Sequence, residues 1–138
     1  MTIEVNLIAI LVASILGMAV GSIWYSPVLF GRPWMQATGI TEEESKAMMA
    51  KGLWKYLLAG FFAHFITLYV LAHFLVIADA FDGTSAIGAA FWITVLVAAH
   101  AAHAVMWEGR NFKYYLINVG YAAVVLIGGG SVLEYWPW

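Results

Sequence analysis

The sequence has no cysteine, only three prolines and little charge. Without cysteine it has no disulfides, no thiol nucleophiles and no cysteine-ligated metal sites, and the redox compartment stays undetermined. Charged residues make up 10% of the 138 residues, whereas about a quarter is usual in soluble domains. The net charge of −2 is too small to suggest a nucleic-acid partner. These absences argue against thiol enzymes, disulfide-stabilised secreted domains and DNA- or RNA-binding proteins.

Positive charge is missing from the N-terminus, the middle and the C-terminus of the chain, where the only charges are Glu4, Asp79, Asp82 and Glu134. All six lysines and arginines fall in two other segments. Because cytoplasmic loops of membrane proteins are enriched in Lys and Arg, both segments are predicted to face the cytoplasm. The six basic residues are Arg32, Lys46, Lys51, Lys55, Arg110 and Lys113.

Apolar side chains dominate what is present: 64% of residues are hydrophobic, and the mean hydropathy is +0.87. Four apolar segments are long enough to cross a bilayer, which takes about 20 helical residues. The first has no basic region before it and no cleavage site after it, so it is predicted to be a spanning helix rather than a signal peptide. The predicted spans are residues 5–25, 54–78, 84–107 and 114–136.

These spans predict an all-α membrane protein: a single domain over residues 1–138, folded as an antiparallel bundle of four transmembrane helices. Both termini are expected outside, and the lipid bilayer is the expected partner. The second and third connections are short, and the second predicts a tight antiparallel hairpin of spans two and three. The first connection is long. Within it, Pro33 predicts extended backbone at Arg32, and Thr41 with Glu44 predicts the capping box of a short helix.

Polar residues inside the spans are the first candidates for function, because polar groups are costly in lipid and tend to face a bundle interior or a cavity. Two histidines lie three residues apart on the third span, and another lies near the middle of the second. Counting helical rise places His64 near mid-membrane and the pair about 6–10 Å above the inner interface, with Glu108 just below the pair and Asn118 at a similar depth. We expect a polar cluster in the cytoplasmic half of the bundle, made of His64, His100, His103, Glu108 and Asn118.

Three roles are open for these histidines. Histidine side chains form hydrogen bonds between membrane helices. They also carry protons or bind solutes, because imidazole titrates near neutral pH. A metal site is the third role, but a histidine pair supplies only two ligands and no third is in register. The sequence therefore predicts no metal, no cofactor and no catalytic residues.

Small residues form a second pattern, since they let membrane helices approach closely. Gly17 and Gly21 are four residues apart on the first span, and Gly128, Gly129 and Gly130 are consecutive on the fourth. We expect these glycines at helix contacts, either within one chain or between subunits. The glycine triplet is also compatible with a kinked helix, as found at transporter sites.

The segment after the first span is rich in aromatic residues and reads Trp-Tyr-Ser-Pro-x-x-Phe-Gly-x-x-Trp-Met from Trp24 to Met35. Together with the run from Glu108 to Tyr121, it resembles the signatures of the bacterial membrane-protein family catalogued as domain of unknown function 1761. One departure is Asn111, where proline is expected. The signature positions are Trp24, Tyr25, Ser26, Pro27, Phe30, Gly31, Trp34, Glu108, Arg110, Asn118 and Gly120.

The resemblance covers the whole chain and implies four spanning helices in the bacterial cytoplasmic (inner) membrane, with no established activity. The segment around the signature is expected to lie at the cytoplasmic interface, where Arg32 meets a lipid phosphate or pairs with Glu108. Two functions stay open: a small homo-oligomeric transporter- or channel-like protein, and an accessory subunit of a larger membrane complex. A membrane enzyme that uses His100, His103 and Glu108 is a third hypothesis, but no complete catalytic constellation is visible, so we expect no enzymatic activity.

Overall fold

The computed structural model describes residues 4–82 and 84–137, and this part of the chain is helical with no strand. The all-α prediction is confirmed. Six helices follow one another: α1 (Leu7–Trp24), α2 (Gly31–Thr38), α3 (Glu42–Ala50), α4 (Leu53–Ile77), α5 (Ser85–Glu108) and α6 (Phe112–Tyr135).

Four of these helices, α1, α4, α5 and α6, are long and apolar enough to cross a membrane. Each begins and ends within two residues of a predicted span. Large apolar side chains cover their outer surfaces; Ile15 is 58% exposed, Ile66 60% and Leu96 69%. In water such a surface would be unfavourable, whereas lipid tails solvate it. The fold therefore indicates a multi-pass membrane protein.

Helix α6 is at the centre of the bundle and packs against α1, α4, α5 and α2. Helix α5 packs along α6 and contacts α4 only slightly, so the predicted tight hairpin of the second and third spans is wrong. Its connection is short, but the small residues of α5 match α6: Ala86 and Ala90 lie against Gly130. An apolar groove of about 500 Å³ is left between α4 and α5.

The two ends of the bundle differ in packing. All six Lys and Arg residues lie at the end that carries α2 and α3, which we call the basic end. The fully buried core lies toward the opposite, closed end. It combines large side chains with alanines that let the helices approach one another. Its residues are Ala9, Ile10, Ala13, Leu68, Leu71, Ala72, Leu75, Ala80, Ala86, Ala90, Leu126 and Leu133.

The long first connection contains two helices. The predicted capping box of α3 is confirmed, with Thr41 and Glu44 bonded reciprocally. The pKa of Glu44 is lowered mainly by its hydrogen bond with the Thr41 backbone and secondly by one with the Thr41 side chain. Helix α2 was not predicted, and the expected extended backbone at Arg32 is wrong. Pro33 falls in the first turn of α2, where backbone N–H groups have no helical partner, so proline breaks no bond.

Candidate functional site

A compact turn brings the chain from α1 back under the bundle. The backbone N–H of Phe30 donates to the Trp24 carbonyl at 2.9 Å, and that of Gly31 donates to the Ser26 carbonyl at 2.9 Å. A side chain at Gly31 would collide with the backbone of Tyr25 and Ser26. Only glycine fits this approach, and the turn therefore fixes where α2 begins.

The side chain of Trp24 anchors this turn on α6. Its indole Nε1–H donates to the Ile117 carbonyl at 3.1 Å, and its ring lies 4.6 Å from that of Phe30, between ring centres. The same ring covers Gly120, where a Cβ atom would lie 3.0 Å from Cζ2 of Trp24. Three signature positions of the sequence thus have a structural explanation: they seat the end of α1 against α6.

Tyr25 joins the turn to a polar residue of α6. Its hydroxyl donates to Oδ1 of Asn118 at 2.7 Å. The Tyr25 ring makes edge contacts with Trp34, 5.7 Å away between centres, and with Tyr121, 5.3 Å away. Because Trp34 belongs to α2 and Tyr121 to α6, this one side chain connects three helices at the basic end.

A second polar contact lies deeper, where α1, α4 and α6 meet. Nε2 of His64 is 2.6 Å from the Tyr121 hydroxyl, and that hydroxyl donates to the Gly17 carbonyl at 2.9 Å. Nδ1 of His64 is 2.7 Å from the carbonyl of Gly60. Gly17 permits this arrangement, because a Cβ there would lie 2.7 Å from Cδ2 of His64. We call His64, Tyr121 and the Gly17 carbonyl the central polar network.

The structure brings together part of the predicted polar cluster. Asn118 and His64 are linked through Tyr25 and the ring of Tyr121. Tyr121 is the residue that sequence reasoning missed; its signal was a hydroxyl well inside an apolar span.

The remaining members of the cluster lie elsewhere. His100 and His103 are exposed on α5 with ring centres 5.5 Å apart, and no hydrogen bond described in the structure joins them to His64. Glu108 is exposed beside Arg110 at 3.8 Å, so it does not pair with Arg32.

The predicted packing glycines fall into two groups. Gly17, Gly21, Gly129 and Gly130 each face a side chain of another helix within the same chain. Gly128 is exposed and has nothing near the position of an added Cβ. Helix α6 runs through all three glycines without a break.

A cavity of about 1000 Å³ opens at the basic end. Helices α2 and α3 form one wall, and the starts of α4 and α6 form the other. Its lining is largely apolar and aromatic, with the Tyr25–Asn118 pair in its wall and Arg32 and Lys46 among its charged residues. We call it the basic-end cavity. Signature residues Pro27, Gly31 and Trp34 line it as well.

No group of three or more metal-ligating side chains occurs among residues 4–82 and 84–137. The site offers an amphiphilic cavity that is connected, through the rings of Tyr25 and Tyr121, to a half-buried polar network. No curated protein and no solved structure matches the chain. The model of the family described as "Protein of unknown function (DUF1761)" matches residues 8–134, so the chain belongs to this family.

Proposed function

We propose that this protein is a small transporter-like membrane protein whose basic end faces the cytoplasm. In this proposal, the basic-end cavity binds a single-chain amphiphile with an acidic headgroup. The observation that supports it is the cavity itself, which combines an apolar body with the guanidinium of Arg32 at the end where positive residues collect. Anionic headgroups and basic side chains meet at this depth of a bilayer.

The charge of the cavity favours an acidic solute. Lys46 and Glu42 are both 74% exposed and form an ion pair at 3.2 Å, so they contribute little net charge. Arg32 has no ion pair with any residue that the structure describes. A guanidinium forms planar, paired hydrogen bonds with carboxylate, sulfonate or phosphate groups. Arg32 is therefore the residue we assign to the headgroup.

The shape of the cavity favours an attached hydrocarbon chain. Met35, Met48, Met49 and Leu53 contribute to its lining. Methionine is flexible and polarisable, so it adapts to chains of different form. A free inorganic anion would leave this apolar surface unfilled, whereas an amphiphile covers it.

The position of the polar residues supports a transport role. Polar groups lead from Arg32 at the cavity through Tyr25 and Asn118 to His64 and Tyr121 in the middle of the bundle. Beyond them lies the packed apolar core of the closed end. This arrangement matches a carrier that is open on one side only. Passage would require the helices at the closed end to separate, and a homo-oligomer would supply the surrounding support.

An accessory subunit of a larger complex is the second candidate, and the exposed face of α5 favours it. His100 and His103 lie on this face with Trp92 and Leu96, which are each 69% exposed. Histidines facing lipid are costly, so another helix is expected to cover them. Gentle solubilisation followed by mass spectrometry separates the candidates. A particle made only of this chain supports the carrier, and a stoichiometric second protein supports the subunit.

The binding proposal is tested by titrating the protein in lipid nanodiscs with decanesulfonate and with decyl maltoside, which has the same chain but no charge. We expect saturable binding of decanesulfonate only. Arg32→Gln should weaken it about tenfold or more, because a hydrogen bond to a charged group contributes about 1.5–3 kcal/mol. Arg110→Gln is the matched control and should bind as the wild type does. Equal binding of both amphiphiles, or equal losses in both variants, contradicts the proposal.

A further inference from the structure

We propose that His64 is a proton-binding site and that its proton is taken up together with the acidic amphiphile. The joint uptake of proton and amphiphile rests on the proposed function. Proton binding by His64 does not, because it follows from the number of protons that the contacts of His64 and Tyr121 require.

Three short contacts surround the His64 ring and the Tyr121 hydroxyl. They are Nδ1 to the Gly60 carbonyl at 2.7 Å, Nε2 to the Tyr121 hydroxyl at 2.6 Å, and that hydroxyl to the Gly17 carbonyl at 2.9 Å. A carbonyl oxygen only accepts hydrogen bonds, so Nδ1 must carry a proton and the third contact must use the tyrosine O–H. No proton is then left for the contact between Nε2 of His64 and the Tyr121 hydroxyl unless Nε2 also carries one.

The arrangement therefore has two forms. With neutral His64, the Tyr121 hydroxyl must choose between Nε2 and the Gly17 carbonyl. With protonated His64, Nε2–H donates to the Tyr121 oxygen, the tyrosine O–H donates to Gly17, and all three contacts are satisfied at once. Uptake of one proton at Nε2 thus turns the Tyr121 hydroxyl from α4 toward α1.

Among residues 4–82 and 84–137, a protonated His64 has no carboxylate close to it. Helix α1 contains no titratable residue, and the only carboxylate in the span of α6 is Glu134, thirteen residues from Tyr121 and about 20 Å away along the helix. On α4 the nearest charged residue is Lys55, of the same sign as the cation. On α5, His100 and His103 lie on the exposed face. Tyr69 and His73 lie further along α4, toward the closed end. The other titratable groups on the helices near the basic end are Tyr25, Tyr56, Glu108, Tyr114 and Tyr115.

An acidic headgroup in the basic-end cavity supplies the missing negative charge. The cavity wall includes Tyr25 and Asn118, and the Tyr25 ring contacts that of Tyr121. The Tyr25 and Tyr121 rings, whose centres are 5.3 Å apart, separate the cavity from His64, and opposite charges attract more strongly where the surroundings are less polar than water. The bound anion favours the protonated ring, and by reciprocity the protonated ring favours the anion. The proton and the acidic amphiphile therefore bind together.

The test is the pH dependence of decanesulfonate binding in nanodiscs, because a sulfonate stays anionic at every pH used. If one proton is taken up with the anion, the dissociation constant falls by up to about tenfold for each unit that the pH is lowered through neutrality. His64→Gln should bind with an affinity that does not change with pH, since glutamine takes up no proton. His100→Gln, on the exposed face of α5, should keep the wild-type slope. A slope that survives in His64→Gln overturns the inference, as does a wild-type affinity without pH dependence.

A second measurement separates this inference from the proposed function. Nitrogen-15 NMR of labelled histidines, assigned with His64→Gln, reports whether each ring nitrogen carries a proton. We expect Nε2 of His64 to gain a proton as the pH falls, and Tyr121→Phe to shift that titration. If decanesulfonate fails to bind while His64 titrates, the proposed function fails and proton binding stands. If Nε2 of His64 stays unprotonated at every pH, the inference fails even where the anion binds.

Discussion

At the scale of single residues, the hydroxyl of Tyr121 joins three helices. It belongs to α6, contacts His64 of α4 and donates to the carbonyl of Gly17 on α1. Closer to the basic end, a hydrogen bond from Tyr25 to Asn118 likewise joins the end of α1 to α6. Polar contacts of this kind fix how apolar helices are rotated against one another, which nonspecific apolar packing in lipid does not do.

The bond between Tyr25 and Asn118 provides a residue-scale prediction. Tyr25→Phe and Asn118→Ala should each destabilise the bundle, and the double variant should lose less than the sum. The coupling is expected at about 0.6 kcal/mol, the average for hydrogen bonds between membrane helices. Unfolding in mixed micelles measures it. A cycle of Tyr69→Phe with Asn118→Ala is the control and should be additive. Additivity in the Tyr25 cycle as well would contradict the assigned bond.

Sequence reasoning predicted the depth of the polar residues better than their direction. The position of a residue along a span follows from helical rise, and the structure links Asn118 to His64 through Tyr25 and Tyr121. The direction depends on which neighbour a helix packs against. His100 and His103 share a depth with the cluster, but α5 presents another face to α6. Tyr121 was missed because tyrosine in a membrane protein is usually taken as an interface residue.

At the scale of helices, small residues on one face of α6 determine its neighbours. Gly129 faces Leu68 of α4, and Gly130 faces Ala86 and Ala90 of α5. Gly128 is on the exposed side. The three consecutive glycines are the same residue type but differ in role, because the packing of α6 gives each one different surroundings.

This difference gives a matched pair of variants. In Gly129→Ala the new methyl group meets the fully buried Leu68, so the side chain must shift within a packed core, at a cost of about 1–3 kcal/mol. Gly128→Ala meets nothing and should stabilise α6 by about 0.5–1 kcal/mol, since alanine favours helix. Unfolding free energies of the two variants check this. Equal effects would contradict the assigned contact of α6 with α4.

Helix boundaries were predictable because apolar length and a capping box are local properties of sequence. Which helices pack against each other was not predictable in this way. A short connection predicted that α4 and α5 would pair, but steric fit between Ala86, Ala90 and Gly130 placed α5 on α6 instead. Proline was also misread at Pro33, because its effect depends on whether it begins a helix or interrupts one.

At the scale of the whole molecule, the bundle is tightly packed at one end and open at the other. Ile10, Leu71, Leu75 and Leu133 close one end, whereas the basic-end cavity of about 1000 Å³ occupies the other. The aromatic turn after α1 holds α2 away from the core and so creates one wall of this cavity. Five of the signature positions line this cavity, where we place the ligand: Tyr25, Pro27, Gly31, Trp34 and Asn118.

The most direct test of this account uses the absence of cysteine, which gives single-cysteine variants no background. Ser45 lines the basic-end cavity and Thr84 is exposed at the opposite end, so Ser45→Cys and Thr84→Cys report on the two ends separately. Labelling by a membrane-impermeant maleimide is measured in inside-out and right-side-out vesicles, with decanesulfonate or decyl maltoside added.

We predict that the Ser45→Cys variant reacts only in inside-out vesicles and is protected by decanesulfonate alone. The Thr84→Cys variant should react only in right-side-out vesicles and should not be protected by either amphiphile. Labelling of the Ser45→Cys variant from the outside, or equal protection by both amphiphiles, would contradict the account.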